Sequence, residues 1–563
     1  MKRVLLILGI YLMAFGCGEV QEKPQPATTG LIADKAMVVS AHPLASEVGK
    51  QILAKGGNAI DAAIATQFAL AVVFPYAGNI GGGGFMVIRM ADGATATLDF
   101  REMAPLAAHR DMYLDEDGEV IENKSTLGHL AAGVPGSVDG MVKAHEKYGS
   151  LPWAELVEPA IQLAARGFPL TNREVAGLNN RRETFRQVNT VDPAQYTREW
   201  QEGDSIRHPE LAATLTRIRD QGRDGFYQGK TAALLLAEMA RGGGIITQED
   251  LDGYEAKWRP AITGTYRGHK IITMPPPSSG GIALIQLLES VEPYALHEIG
   301  HNTADYVHLL VEAERRAYAD RAEYLGDMDF YNVPIQQLID RSYILQRMQS
   351  FDPEHATPSD SISHGDILVE SDQTTHFSII DTKGNAVAVT TTLNGAFGSK
   401  VVVGNAGFFL NNEMDDFSIK PGYPNMFGLI GGEANAIAPK KRMLSSMTPT
   451  IVEKDGEVFF VTGSPGGATI ITAVFQSILN VIDFGMGAQE AVAAKRFHSQ
   501  WKPDVIMTET GALDEATVEA LKKRGHKFFD RGKIARVDAI KKLADGRLEG
   551  GADPRGDDMA AGF

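Results

Sequence analysis

The chain contains a single cysteine, Cys17, which rules out an internal disulfide and a cysteine-based metal cluster. It has no basic excess. The formal net charge is −17 over 563 residues, whereas a nucleic-acid binder would be expected to carry a basic surface. There is no repeat at solenoid spacing and no G-x-S-x-G nucleophile elbow. The glycine run Gly81 to Gly84 lacks the G-x-x-x-x-G-K-[ST] spacing of a phosphate loop and precedes a strand instead of opening a helix, so a close-packed turn is expected there. The rest is ordinary globular composition, 44% hydrophobic and 22% charged. The chain is long enough for a large core, and length alone suggests three or four domains.

The N-terminus reads as an export signal. Lys2 and Arg3 precede an apolar stretch from Val4 to Phe15, which is too short to span a bilayer, and small Gly16 precedes Cys17. "AFGC" resembles the bacterial lipoprotein signal box, with Ala14 where Leu is commoner. Residues 1–16 are therefore expected to be a signal peptide and Cys17 a lipidated first residue. Residues 17–30 are polar and proline-containing, which suits a tether. The implied location is periplasmic or on a membrane, held only through the lipid.

From Leu31 the chain becomes globular. "SEVGKQILAKGGNAIDAAIATQFALAVV" predicts two helices broken at Gly56-Gly57, with Asn58 capping the second. "GNIGGGGFMVIRMADGATATLDFREMAP" predicts two strands around Ala91-Asp92-Gly93. The span Leu127 to Ser350 is expected to be mainly helical, most clearly "TADYVHLLVEAERRAYADRAEYLGD". Strands return after Thr374, and "GKIARVDAIKKLADGRLEGGADPR" closes as a hairpin. This mixture predicts an α+β layered fold.

"HEIGH", His297 to His301, matches the H-E-x-x-H zinc-protease pattern, which requires both histidines on one helix face. Gly300 and Asn302-Thr303 are helix-start signals, and Asn302 with Asp305 resembles a capping box, so the helix is expected to begin after His301. No metal site is expected.

The stretch "SDQTTHFSIIDTKGNAVAVTTTLNG" reads as a β-hairpin turning at Thr382-Lys383-Gly384. If Asp381 pairs with Asn385, the register places Thr374 opposite Thr392. A threonine hydroxyl is a poor nucleophile without a base beside it. The α-amine of the same threonine, with a pKa near 8, can be that base. It exists only if the chain is cut at Gln373-Thr374. The competing reading is a threonine-rich strand pair chosen for β propensity.

Further segments carry a resemblance: "LDFREMAP", "QTTHFSIID", "TLNGAFGS", "LNNEMDDFS", "KRMLSSMTPTI" and "TGSPGG" resemble gamma-glutamyltranspeptidases, from about Leu31 to the C-terminal "GGADPRGDD". The resemblance implies a four-layer αββα sandwich of the N-terminal nucleophile hydrolase type, without a cofactor. It implies a precursor that cuts itself into a large subunit, residues 31–373, and a small one, residues 374–563, which stay together as a heterodimer. Thr374 would be the nucleophile, supported by Thr392, with Gly466 and Gly467 as the oxyanion hole. Arg101, Ser445 and Ser446 would take the substrate's α-carboxylate, and Asn394, Glu413 and Asp416 its α-ammonium. The segment Lys420 to Arg442 would be a lid, with Phe427 where the family commonly has Tyr. Met443 and Ala468-Thr469 are two smaller departures. Substrates would be glutathione and other γ-glutamyl compounds, with amino acid or dipeptide acceptors. The rivals are a glutaryl or cephalosporin acylase of the same fold and a silent lipoprotein that binds γ-glutamyl compounds.

Overall fold

The computed structural model describes residues 29–362 and 374–563. The signal segment, Cys17, nearly all of the tether and Gln373 lie outside the described residues. Two seven-stranded sheets stack face to face. In the first, the strand order is Met559–Gly562, Met37–Ser40, Thr375–Ile380, Ala386–Thr392, Gly83–Arg89, Thr95–Asp99 and Lys257–Arg259. In the second it is Leu31–Ala33, Leu548–Gly551, Asp538–Lys542, Glu457–Gly463, Thr450–Lys454, His269–Thr273 and Ile262–Tyr266. Each sheet draws strands from both ends of the chain. The several domains that length suggests are therefore replaced by one interleaved unit.

Alternation along the strands assigns their faces. Val38, Phe377, Ile379, Val387 and Val389 pack with the helices Pro43–Ala54 and Ala59–Val73. Val39, Ile380, Ala386 and Ala388 pack toward the second sheet. The helices Gly280–Val291, Ala304–Tyr324 and Thr469–Ile482 cover the outer face of that sheet. The layers thus run helix, sheet, sheet, helix, as the resemblance implies. Because Ala59–Val73 is buried along its whole length, it carries almost no polar face. Its start is fixed by Asn58, whose Oδ1 accepts from the N–H groups of Ile60 and Asp61 at 2.9 Å each. Asp61 accepts in return from Asn58 N, also at 2.9 Å.

Two expectations need correction. The span read as mainly helical also supplies the strands Lys257–Arg259, Ile262–Tyr266 and His269–Thr273. Pro260, Gly264 and Gly268 interrupt the alternation that would have marked them. The helix Ala304–Tyr324 is capped by Thr303, which accepts from Tyr306 N at 3.3 Å, and not by Asn302, whose φ is 56°. His297 lies on the separate short helix Leu296–Ile299, and His301 bonds Asn480 at 3.0 Å. The two histidines share no helix face.

Candidate active site

The hairpin turn is built by Asp381. Its carboxylate accepts from Lys383 N at 2.8 Å and from Asn385 N at 3.0 Å, and Gly384 takes a φ of 83°. Pairing then runs from Ile380 with Ala386 to Thr375 with Thr391. One step further sets Thr374 against Thr392, and the Thr374 hydroxyl donates to Thr392 Oγ1 at 3.4 Å. Strand alternation sorts the threonines. Thr391 faces the helices, where its hydroxyl oxygen accepts from Asn79 at 3.1 Å. Thr390 and Thr392 face the second sheet. Thr390 Oγ1 meets His376 Nδ1 at 2.8 Å, and His376 Nε2 meets Ser378 Oγ at 3.0 Å. Ser378 in turn donates across the interface to Asp538 O at 3.1 Å. Burial pushes the His376 imidazole down to about 3, so this link between the sheets is neutral. Thr392 Oγ1 also accepts from Asn394 N at 2.8 Å.

Beside the hydroxyl pair lies a buried ionic cluster. Arg101 is fully buried, with Glu413 at 2.6 Å, Asp416 at 2.5 Å and Glu102 at 3.7 Å. Burial opposes the Arg101 charge, but the three acids outweigh it and hold the guanidinium firmly protonated. Burial also drives the Glu413 carboxyl well above its usual range, against the pull of Arg101. Asp416 is raised for the same reason. The acids belong to the short turn Glu413–Asp416, and the pairing with Arg101 places this turn inside the protein rather than in solvent. Arg101 is anchored through its backbone: its N–H donates to Asp99 Oδ1 at 3.0 Å, and Tyr254 OH donates to its carbonyl at 2.8 Å.

The glycine pair precedes the helix Thr469–Ile482. Gly466 has φ 138° and Gly467 φ 55°. Their N–H groups donate to no acceptor among the described residues. A Cβ on Gly467 would lie 2.5 Å from Phe427 Cδ1, so the backbone there approaches the Phe427 ring as only glycine allows. The segment Lys420 to Arg442 is tied to the acidic turn at two points. Asn425 donates to Asp416 Oδ1 at 2.9 Å, and Met426 N to Asp415 Oδ2 at 2.8 Å. Phe427 is buried.

Thr374, Thr392, Arg101, Asn394, Asp416, Ser445, Ser446, Phe427 and Gly467 all line one small cavity of about 20 Å³. Glu413 stands behind Arg101 instead of lining it. Arg321 is a lining residue that sequence reasoning missed; it donates to Ser279 Oγ at 2.9 Å and to Ser446 Oγ at 3.2 Å. Its only signal was its place among the charges of a long helix.

A threonine at the head of an inner strand of an αββα sandwich, beside a second hydroxyl and in one cavity with Gly467, fits the N-terminal nucleophile hydrolase class. A sequence profile described as Gamma-glutamyltranspeptidase matches residues 45–563. The glutathione hydrolase proenzyme of Escherichia coli (strain K12) is 46% identical, over 94% of this chain and 92% of that protein. The glutathione hydrolase proenzyme of Pseudomonas sp. (strain A14) is 47% identical, over 93% of each. The crystal structure of cephalosporin acylase from Bacillus halodurans superposes with a TM-score of 0.83 at 27% identity, covering 97% of this chain and 99% of that one. The chain belongs to the gamma-glutamyltranspeptidase family.

Proposed function

We propose that the protein is a self-processing γ-glutamyltransferase and glutathione hydrolase with Thr374 as its nucleophile. The observation that carries this reading is the Thr374–Thr392 hydroxyl contact, set in a cavity also lined by Arg101, Asp416, Ser445 and Ser446. In the precursor, Thr374 Oγ attacks the Gln373 carbonyl. The peptide C–N bond breaks, an ester forms, and water opens it. The large subunit, residues 31–373, and the small one, residues 374–563, remain together because both supply strands to each sheet. The freed α-amine then serves as base when Thr374 attacks the γ-glutamyl carbonyl. The Gly466 and Gly467 N–H groups receive the oxyanion. The glutamyl group leaves to water or to an amino acid or dipeptide acceptor.

The ionic cluster explains recognition. A γ-glutamyl group carries a carboxylate and an ammonium close together. Arg101 and Asp416 already hold the complementary charges side by side. Arg101 with Ser445 and Ser446 takes the carboxylate, and Asp416 with Asn394 takes the ammonium. Glu413 keeps Arg101 charged and in place, and reaches the ammonium only after Arg101 shifts. At about 20 Å³ the cavity holds little more than a water molecule. Donor entry therefore requires the lid at Phe427 to move. A glutaryl acylase would have no ammonium for Asp416 to meet. Cys17, if lipidated, makes the protein an exported lipoprotein anchored by its tether. Among the described residues no helix is long and apolar enough to cross a membrane. The test is Thr374→Ala, which leaves one uncut chain without γ-glutamyl hydrolase activity. Two chains from that variant would refute the role of Thr374.

A further inference from the structure

We propose that a pocket outside the catalytic cavity binds a small monocarboxylate with a flat apolar body, the ring among aromatic walls and the carboxylate on Arg181. The pocket holds about 240 Å³ and shares no lining residue with the cavity at Thr374. The end of the helix Ala59–Val73, the helix Asn172–Asn179 and the loop after the strand Ala386–Thr392 all contribute to it. Val73, Phe74, Leu170, Leu178, Ile206 and Phe397 form buried apolar walls. Arg173, Ala176 and Asn180 also line it and are exposed, so it opens to solvent on that side. An apolar cavity of about 150 Å³ takes up benzene and stays dry without it. The larger volume here admits one ring with a short chain, and aromatic walls favour a ring.

Charge sets the head group. Arg181 lines the pocket with its guanidinium over two of the rings, 5.5 Å from the Tyr76 centroid and 5.8 Å from that of Phe397. It donates to Gly177 O at 3.1 Å and pairs with no acid among the described residues. Lys400, close enough to feel that charge, donates to Gly398 O at 2.5 Å and also pairs with no acid there. Burial, with Arg181 adding to it, pulls the Lys400 ammonium down to about 7. Arg173 at the mouth is a further cation, bonded to Arg555 O. Glu174, the one acid in the lining, is engaged elsewhere: it accepts from Thr171 N at 2.7 Å and lies 3.3 Å from His42 Nε2. A carboxylate on Arg181 supplies the anion that these cations lack. An ammonium next to that carboxylate would meet the same cations, so an amino acid of equal shape is disfavoured. The pocket also adjoins the loop that supports Thr392. Phe397 N donates to Tyr76 O at 2.9 Å, three residues after Asn394, whose N–H holds Thr392 Oγ1. A ligand packed on Phe397 and Tyr76 braces that loop.

The test titrates 3-phenylpropionate into the purified protein by calorimetry, beside its neutral amide and L-phenylalanine, which carry the same ring and chain. The carboxylate binds saturably at one site, with a Kd on the order of 1 mM or below for so small a ligand. The amide and L-phenylalanine bind at least about tenfold more weakly, the effect of losing one charge-assisted hydrogen bond. Arg181→Gln weakens the carboxylate by a similar factor, and Arg181→Lys restores part of it. Saturating 3-phenylpropionate leaves the KM for γ-glutamyl-p-nitroanilide unchanged, because the two ligands occupy separate cavities. The proposal is overturned by the absence of saturable binding, by equal affinity for the carboxylate and the amide, by an unchanged Kd in Arg181→Gln, or by a competitive rise in KM. If Arg181→Gln fails to fold, the wild-type comparison of carboxylate with amide still decides. Calorimetry needs no turnover, so failure of the pocket and failure of the hydrolase reading are told apart.

Discussion

Replacing Asp416 by Asn removes one charge from the Arg101 cluster and leaves the shape nearly unchanged. Arg101 keeps Glu413 at 2.6 Å and Glu102 at 3.7 Å, and loss of the Asp416 charge eases ionisation of both, so the buried cation keeps a partner. The folding cost should therefore stay well under the roughly 3–5 kcal/mol of an orphaned buried charge. Asn keeps one acceptor oxygen, enough for Arg101 or for Asn425 but not both. That loss is worth about 1 kcal/mol. The effect on substrate is larger. A hydrogen bond to the α-ammonium is worth about 1.5–3 kcal/mol, or roughly 10- to 150-fold in kcat/KM. The assay compares γ-glutamyl-p-nitroanilide with glutaryl-p-nitroanilide, which differs only in lacking the ammonium. The glutamyl substrate should lose that factor while the glutaryl substrate changes by no more than about threefold, the lattermost reflecting only a small shift of Arg101. Equal losses for both would refute the ammonium role of Asp416.

Three further outcomes are expected. Burial raises the Glu102 carboxyl from 4.5 to about 8, with Arg101 opposing. Because this folded value lies above the unfolded one, the protonated group stabilises the fold fully below the unfolded value, and that contribution is lost as pH rises through 8. Glu102→Gln keeps the neutral form, so the Tm of the wild type should fall relative to the variant between about pH 5 and 9; parallel Tm profiles would contradict this. Phe427→Tyr adds a hydroxyl beside the cavity that Asn394 also lines. The donor KM should fall about two- to tenfold if one net hydrogen bond forms on closure, and an unchanged KM would count against lid closure at this position. Gly467→Ala places a Cβ 2.5 Å from Phe427 Cδ1. Displacing one oxyanion donor should lower kcat about 10²-fold, and a normal kcat would remove Gly467 from the oxyanion hole.

The hairpin was legible because turn chemistry sets register. Asp381, Gly384 and Asn385 fix the turn, and the pairing of Thr374 with Thr392 follows by counting. Asn58 was legible as a cap for the same local reason. The pairing of Arg101 with Glu413 and Asp416 was not, because these residues are more than three hundred positions apart and strand propensity says nothing about which loops meet. Locally, "EMDD" reads as a solvated loop. Burial reverses that reading, and only the fold supplies the burial. Arg321 was hidden by the same limit, since only the fold shows that it lines the catalytic cavity. The cap at Thr303 was missed because Asn302 and Thr303 are both good cap residues, and the positive φ of Asn302 decided between them.

The central claim is that Thr374 becomes an N-terminus. The direct measurement is intact mass and N-terminal sequencing of the purified protein, made without its signal segment, after incubation at neutral pH. The account predicts two chains that copurify, the smaller beginning Thr-Thr-His-Phe. A single uncut chain that nonetheless hydrolyses γ-glutamyl-p-nitroanilide would contradict it.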